Sequence, residues 1–240
     1  MSNTQNIHIS IITVNLNNDI GLVLTIQSIL AQTYQLFEYI VIDGGSTDRS
    51  LDIIRENTHL ITKWESSPDK GIYDAMNKGI KQARGQYLLF LNSGDLLTNP
   101  MILEKIAPKL NQFDLIYGNL IFNYQHFDYA NIYPDNLSLR YFIKNSLPHP
   151  CLFIKKNVFE VVGLYNTTYK ICSDWIHYLI AIFVYDCTYL HIDDFISRFD
   201  TTGISSAHKN KGIIKRERII GWVQFFIIKF KNDFTKYLIK

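Results

Sequence analysis

Tyr39-Ile-Val-Ile-Asp-Gly-Gly-Ser-Thr-Asp48 reads as a short buried strand that stops in a polar loop containing two glycines. Its apolar run is too short for a helix and is closed by turn-forming residues, which predicts a strand over 39–42. Working outward, Ile9-Ser-Ile-Ile-Thr-Val14 is a second β-branched run, ending near Asn15 in Asn15-Leu-Asn-Asn-Asp19. Between the two, Leu22, Val23, Ile26, Ile29 and Leu30 recur on one face of an amphipathic helix. Leu51, Ile53 and Ile54 begin another helix, and a weaker strand follows over 59–64. A helix over 72–83 and a strand Tyr87-Leu-Leu-Phe-Leu91 complete the pattern. Strand and helix in alternation imply βαβ units and a mainly parallel sheet covered on both faces.

In such sheets ligands bind beyond the carboxyl ends of the strands. Those ends carry Asn15, the segment from Asp43 to Ser46, and Asn92-Ser-Gly-Asp95, so three loops present one polar, acidic rim. Asn, Asp and Gly also make ordinary turns, and any single loop admits that reading. No phosphate loop of the Gly-x-x-x-x-Gly-Lys-Ser/Thr type, no Gly-x-Gly-x-x-Gly after the first strand and no Gly-x-Ser-x-Gly elbow occurs, which disfavours phosphate-loop kinases, dinucleotide oxidoreductases and α/β-hydrolases. A carboxylate rim holds a ribose or base by hydrogen bonds and a diphosphate through a divalent cation. The expected ligand is a nucleoside diphosphate with a metal.

The chain has 240 residues, 47% apolar and 19% charged, with 15 Tyr and 15 Phe, which excludes a disordered or fibrous polymer. No apolar run reaches the roughly 18 residues of a membrane span. The polar N-terminus lacks the pattern of a signal peptide, which predicts a cytoplasmic protein. Cys151, Cys172 and Cys187 fit neither a disulfide framework nor a metal clip and are expected to be buried thiols. Charge is unevenly placed: residues 209–240 carry nine Lys/Arg against Glu217 and Asp233, whereas residues 1–208 hold 15 basic and 20 acidic residues.

Several blocks then fall in a familiar order: Ser10-Ile-Ile-Thr-Val-Asn15, Thr25-Ile-x-Ser-Ile29 with Gln32, Ile40-Val-Ile-Asp-Gly-Gly-Ser-Thr-Asp48 and Ser67-Pro-Asp-Lys-Gly-Ile-Tyr-Asp-Ala-Met-Asn-Lys-Gly79. They continue through Ala83-x-Gly85, Phe90-Leu-Asn-Ser-Gly-Asp95, Tyr117-Gly118, Pro148-His149 and Ser173-Asp174. Over residues 8–206 the chain resembles the family 2 glycosyltransferases of bacterial cell-surface polysaccharide synthesis. The resemblance implies a GT-A fold: a Rossmann-like α/β nucleotide-sugar-binding half (1–120), an acceptor-binding half carrying the catalytic base (121–208), and here a basic amphipathic C-terminal tail (209–240).

The same resemblance implies roles for individual residues. Thr13, Val14 and Asn15 would line the nucleotide pocket and Asp43 would accept hydrogen bonds from the base. Asp69 and Lys70 would stand beside the donor phosphates, although Lys70 by itself also reads as a solvated turn residue. Tyr73 and Asn77 would face the donor from their helix, with Asn92 and Ser93 beside them. The segment 92–95 stands where the family carries Asp-x-Asp and a further acidic residue, so Asp95 would be the remaining carboxylate for Mg²⁺ or Mn²⁺. Such a cation commonly keeps several waters and few protein ligands. Asp174 would be the general base, taking the acceptor proton as the nucleoside diphosphate leaves; a helix-capping role for Ser173 and Asp174 is compatible with it. Asp193 and Asp194 are the fallback for that base. His149, between two prolines, would contact acceptor or phosphate, or be structural. Residues 201–205 resemble a loop that closes over the donor, and His208 would add a metal ligand.

The tail mixes apolar residues from Ile213 to Leu238 with its basic ones, the composition of a helix lying on an anionic membrane surface, of a packed C-terminal helix, or of a dimer contact. An acidic body argues against nucleic acid. The reading is therefore an inverting, metal-dependent hexosyltransferase acting on a glycan or lipid-linked acceptor in capsule, exopolysaccharide or O-antigen (lipopolysaccharide) synthesis, cytoplasmic or peripheral on the inner membrane face. The alternative is a catalytically silent nucleotide-sugar-binding member of a membrane-associated assembly. A sugar nucleotidyltransferase lacks support, because no glycine- and arginine-rich loop follows Val14.

Overall fold

The computed structural model describes residues 7–124, 126–203, 205–206 and 208–238, with the side chains of 208, 236 and 238 outside that description. β1 (Ile9–Asn15) is buried at every position, as a central strand covered on both faces must be. α1 (Asp19–Leu30) follows, its first turn capped by the Asn18 side chain, which accepts from the Gly21 N–H. β2 (Phe37–Asp43), α2 (Ser50–Glu56) and β3 (Lys63–Ser66) complete a parallel edge of the sheet, β1 pairing with β2 and β2 with β3. The third strand begins later than the sequence suggests. Turns closing α2 occupy the preceding residues, with the Leu60 and Ile61 N–H groups bonded to the Asn57 carbonyl.

α3 (Ile72–Gln82) leads into β4 (Tyr87–Phe90), which pairs in parallel with the other side of β1. β5 (Leu96–Leu97), α4 (Ile102–Ile106), β6 (Leu115–Tyr124), β7 (Phe127–Asn131), α5 (Leu139–Lys144), β8 (Leu152–Lys155), α6 (Val158–Val162), α7 (Ser173–Phe183), β9 (Tyr189–Asp200) and α8 (Lys211–Leu238) build the remainder. The sheet runs β3-β2-β1-β4-β8-β6-β9-β5, with β7 paired to β6. Its first half is parallel, as expected. In the second half β8 is antiparallel to both neighbours and β9 runs parallel to β6, so one curled sheet continues through both halves. The expected boundary at 120/121 falls inside β6.

The C-terminal segment is a single helix laid against α7. Gly221 permits the close approach, since a Cβ there would stand 2.6 Å from the Trp175 ring. Trp222 meets Trp175 edge-on and Phe225 is fully buried. The opposite face of α8 is left open: Ile219, Ile220, Val223, Phe226, Ile227 and Phe230 are exposed. No helix among the described residues is long and apolar enough to cross a membrane. All three cysteines are free, Cys151 and Cys172 buried and Cys187 half-buried.

Candidate functional site

The carboxyl ends of β1, β2 and β4 are tied to one another. The Gly44 N–H donates to the Asn15 carbonyl at 2.8 Å and the Ser93 N–H to the Val14 carbonyl at 3.1 Å. In front of them lies a cleft of about 810 Å³, walled on one side by Val14, Asp69, Tyr73, Asn92, Ser93 and Asp95 and on the other by His149, Asp174, Asp200 and Arg218. Asp174 stands in the first turn of α7, where the helix N-terminus favours a carboxylate. Its Oδ1 accepts from its neighbour Trp175 N–H at 2.8 Å and lies 2.9 Å from the Tyr73 hydroxyl, which also contacts the Ile171 carbonyl. Its Oδ2 faces His149 Nδ1 at 3.4 Å. His149 Nε2 is 2.9 Å from Asn92 Nδ2, so a chain of polar contacts crosses the cleft from the β4 loop to α7. Burial and the nearby Asp174 charge raise the Tyr73 phenol well above its usual value, so Tyr73 stays a neutral donor toward Asp174.

Several residues expected in the nucleotide pocket are turned elsewhere. Successive side chains of a strand point to opposite faces, so Val14 lines the cleft whereas Thr13 and Asn15 do not. Thr13 Oγ1 donates to the Leu91 carbonyl at 2.7 Å, and Asn15 Nδ2 donates to Asp43 Oδ1 at 2.8 Å. Asp43 is fully buried, and its Oδ2 accepts from Gly45 N, Ser46 N and Ser66 Oγ. Burial opposes its charge, yet bonds from Ser46, Ser66 and Asn15 outweigh it and hold Asp43 below the ordinary carboxylate range. Base contact by Asp43 therefore requires one of these bonds to be exchanged. Asn77 holds the Tyr165 backbone through both ends of its amide, at 2.8 and 3.0 Å, rather than facing the cleft. Lys70 is exposed and outside the cleft wall. Asp193 and Asp194 also lie outside it, bonded to Asn119 and Lys105.

Asp69, Tyr73, Asn92, Ser93, Asp95, His149 and Asp174 do converge on the cleft, as do Thr202, Gly203 and Ser205 of the 201–205 loop; Ile204 and the His208 side chain lie outside the described residues. Asp200, Lys170, Glu217 and Arg218 escaped the sequence reading. Glu217 of α8 accepts the backbone N–H groups of Lys170 (2.7 Å), Ile171 (3.0 Å) and Cys172 (3.0 Å), fixing the loop that delivers Asp174. Arg218, lying over the Trp175 ring, donates to the carbonyls of Ile143 and Asn145, ahead of His149. A lone Glu among nine cations was the available signal.

Asp95 is almost fully buried, which pushes its carboxyl up to about 7, against the pull of nearby His149. Among the described residues, its Oδ2 and the Oδ1 of Asn92 are buried oxygens without a hydrogen-bond partner. Two such oxygens on one loop suit a hard divalent cation, which prefers carboxylate and amide oxygens. A cage of three or more His, Cys, Asp or Glu is absent among the described residues.

The sequence profile described as glycosyl transferase family 2 matches residues 10–159. A PGL/p-HBAD biosynthesis glycosyltransferase of Mycobacterium bovis is 33% identical over 174 residues, which are 69% of this chain and 66% of that protein. An uncharacterized glycosyltransferase of Mycobacterium tuberculosis is 32% identical over 219 residues, 89% of this chain and 82% of its own length. The chain thus spans just under two thirds of the first of these curated relatives. Among solved structures, S. aureus TarS 1-349 in complex with UDP-GlcNAc superposes with a TM-score of 0.67 at 17% identity, over 80% of this chain and 58% of that one. The mannosyltransferase PcManGT of Pyrobaculum calidifontis, in complex with GDP-Man and Mn²⁺, gives 0.64 at 15% identity, over 93% and 64%. At these identities the likeness is one of fold.

Proposed function

Since the chain belongs to glycosyl transferase family 2, we propose that it moves a sugar, with inversion, from a nucleoside-diphosphate donor to a hydroxyl of a glycan or lipid-linked saccharide in surface polysaccharide synthesis. The observation that carries this reading is Asp174, a carboxylate on the cleft wall with Oδ1 fixed by Tyr73 and the Trp175 N–H. The acceptor oxygen attacks the anomeric carbon, Asp174 Oδ2 takes its proton, and the bond from that carbon to the diphosphate oxygen breaks. Fixing one oxygen leaves the other aimed, a preorganisation that lowers the entropy cost of proton transfer. Asp95 and Asn92 would hold a divalent cation, which when bound supplies charge stabilisation to the departing diphosphate. Val14, Asp69 and Ser93 would contact the donor from the opposite wall.

The open face of α8, apolar and flanked by Lys215, Arg216 and Lys231, supports peripheral attachment to the anionic inner face of a membrane, where a lipid-linked acceptor resides. Because α8 also carries Glu217, attachment is tested by Phe226→Glu and Phe230→Glu rather than by truncation. Both should abolish cosedimentation with anionic vesicles while leaving turnover of soluble donor intact; unchanged cosedimentation defeats the attachment.

The transfer itself is tested with UDP-, GDP- and dTDP-sugars, following release of nucleoside diphosphate with Mn²⁺ or Mg²⁺ in wild type, Asp95→Ala and Asp174→Asn. One donor should turn over, both variants should lose turnover, and Asp174→Asn should still bind donor. Binding and cleavage of none of them by folded protein would overturn the reading.

A further inference from the structure

We propose that Asp200, at the end of β9, is a second protein ligand of the divalent cation, standing in for the carboxylates that positions 92 and 94 lack. The proposal rests on the transferase reading and concerns how this chain completes its cation site.

The loop 92–95 offers a single carboxylate, Asp95. Gly94 has φ +101°, a backbone that side chains rarely adopt, and a Cβ built there would stand 2.6 Å from Asp200 Oδ2. The space that a residue 94 side chain would enter is thus filled by a carboxylate from another strand. Sheet register puts it there: β5 begins directly after Asp95 and pairs Leu96 with Arg198, and β6 pairs Asn123 with Asp200. The Asp200 N–H then donates to Asp95 Oδ1 at 2.9 Å. That bond orients Asp95 and leaves its Oδ2 without a partner among the described residues, in a side chain only 2% exposed.

Asp200 accepts from the Thr202 N–H at 2.9 Å and from Thr202 Oγ1 at 2.8 Å. Both donors are neutral, so its charge is uncancelled by them, and each carboxylate oxygen keeps a lone pair. Both aspartates line the same cleft. Two carboxylates so placed repel each other in a poorly hydrated site unless a cation lies between them. Two carboxylates and the Asn92 amide oxygen make a hard oxygen set, suited to Mg²⁺ or Mn²⁺ with the remaining positions left to donor phosphate and water.

Mn²⁺ itself is the probe. Loss of the free Mn²⁺ electron paramagnetic resonance signal, titrated with and without UDP, measures binding independently of turnover, alongside the melting temperature of each variant. Wild type should bind Mn²⁺ more tightly with UDP present. Asp200→Asn should weaken binding by about tenfold or more with an unchanged melting temperature, and Asp193→Asn, outside the cleft, should leave it unaltered. Adding Asn92→Asp to Asp200→Asn should recover most of the loss, because it returns a carboxylate to the same site; a purely structural Asp200 would not be rescued this way. Wild-type affinity in Asp200→Asn overturns the assignment while the transferase reading stands on Asp174→Asn turnover. Failure of wild type to bind Mn²⁺ with UDP, and with GDP or dTDP in its place, overturns it together with metal dependence. Weakened binding with a lowered melting temperature and no rescue by Asn92→Asp also overturns it.

Discussion

The two walls of the cleft are held in opposite ways. Behind the proposed donor side, Asn15, Asp43, Ser46 and Ser66 bond one another, so the loops that carry that wall are tied together by their neighbours in the sheet. On the acceptor side, the loops before Asp174 and His149 are held from outside by Glu217 and Arg218, two residues of the chain's last helix. The first wall is bonded within itself as well as to the second, whereas the second depends further on a helix that packs on it late in the sequence. Under the proposed function, local bonding would make a rigid nucleotide shelf, and remote bracing would leave the Asp174 carboxylate sensitive to changes far from the chemistry.

The largest effect is expected at Asp174. Asp174→Asn should lower turnover by about 10²–10⁴-fold with donor affinity kept, measured by single-turnover kinetics and calorimetry. An equal loss in Asp193→Asn would move the base elsewhere. Glu217→Ala removes one acceptor shared by three backbone donors and should cost roughly 3 kcal/mol of stability in urea titrations. It should lower kcat while leaving nucleoside diphosphate affinity within about twofold. If donor affinity falls as far as kcat, the two walls are not independent. Asp43→Asn should do the reverse, weakening nucleotide binding more than kcat, with roughly 2 kcal/mol lost from its buried network.

His177 of α7 tests the packing of the second half by pH. It is buried between Phe159 and Tyr165, and burial lowers its pKa from 6.5 to about 4. The folded state thus resists a proton that the unfolded state accepts, so its contribution is complete above about pH 6.5 and is lost as pH falls toward 4, by up to roughly 3 kcal/mol. Urea midpoints measured from pH 7 to 4.5 should fall accordingly, and His177→Phe should flatten that slope. The smallest effect is expected at Lys70. It is exposed and off the cleft wall, so Lys70→Ala should change donor KM by less than about twofold. A larger change would show that the 69–71 loop folds inward on donor binding.

Much of the first half is legible in the sequence because β1, β2 and β4 are largely apolar blocks that end in polar loops, whereas β3, Lys63-Trp-Glu-Ser66, has no such block and begins later than the sequence suggests. What block reading misses is direction. The alternation that puts Val14 in the cleft and turns Thr13 and Asn15 away is masked when all seven positions of β1 are buried. Asn77 shows the same limit: the helix is evident, but its clasp on Tyr165 spans 88 residues. Asp200 meets Asp95 only through the β5–β9 register, across 105 residues, which no local period encodes. In the tail, composition indicates an amphipathic helix, yet it gives no sign that Gly221 lets α8 close on Trp175.

α8 has two working faces. One holds Glu217 against the Asp174 loop, and the other exposes Phe226, Phe230 and their apolar neighbours. Anything that binds the outer face and moves the helix must alter the aim of Asp174. Thermodynamic reciprocity then requires that an occupied cleft alter the affinity of the outer face by the same factor. Attachment and substrate occupancy would be read as one coupled equilibrium, with vesicle affinity itself reporting whether the cleft is full.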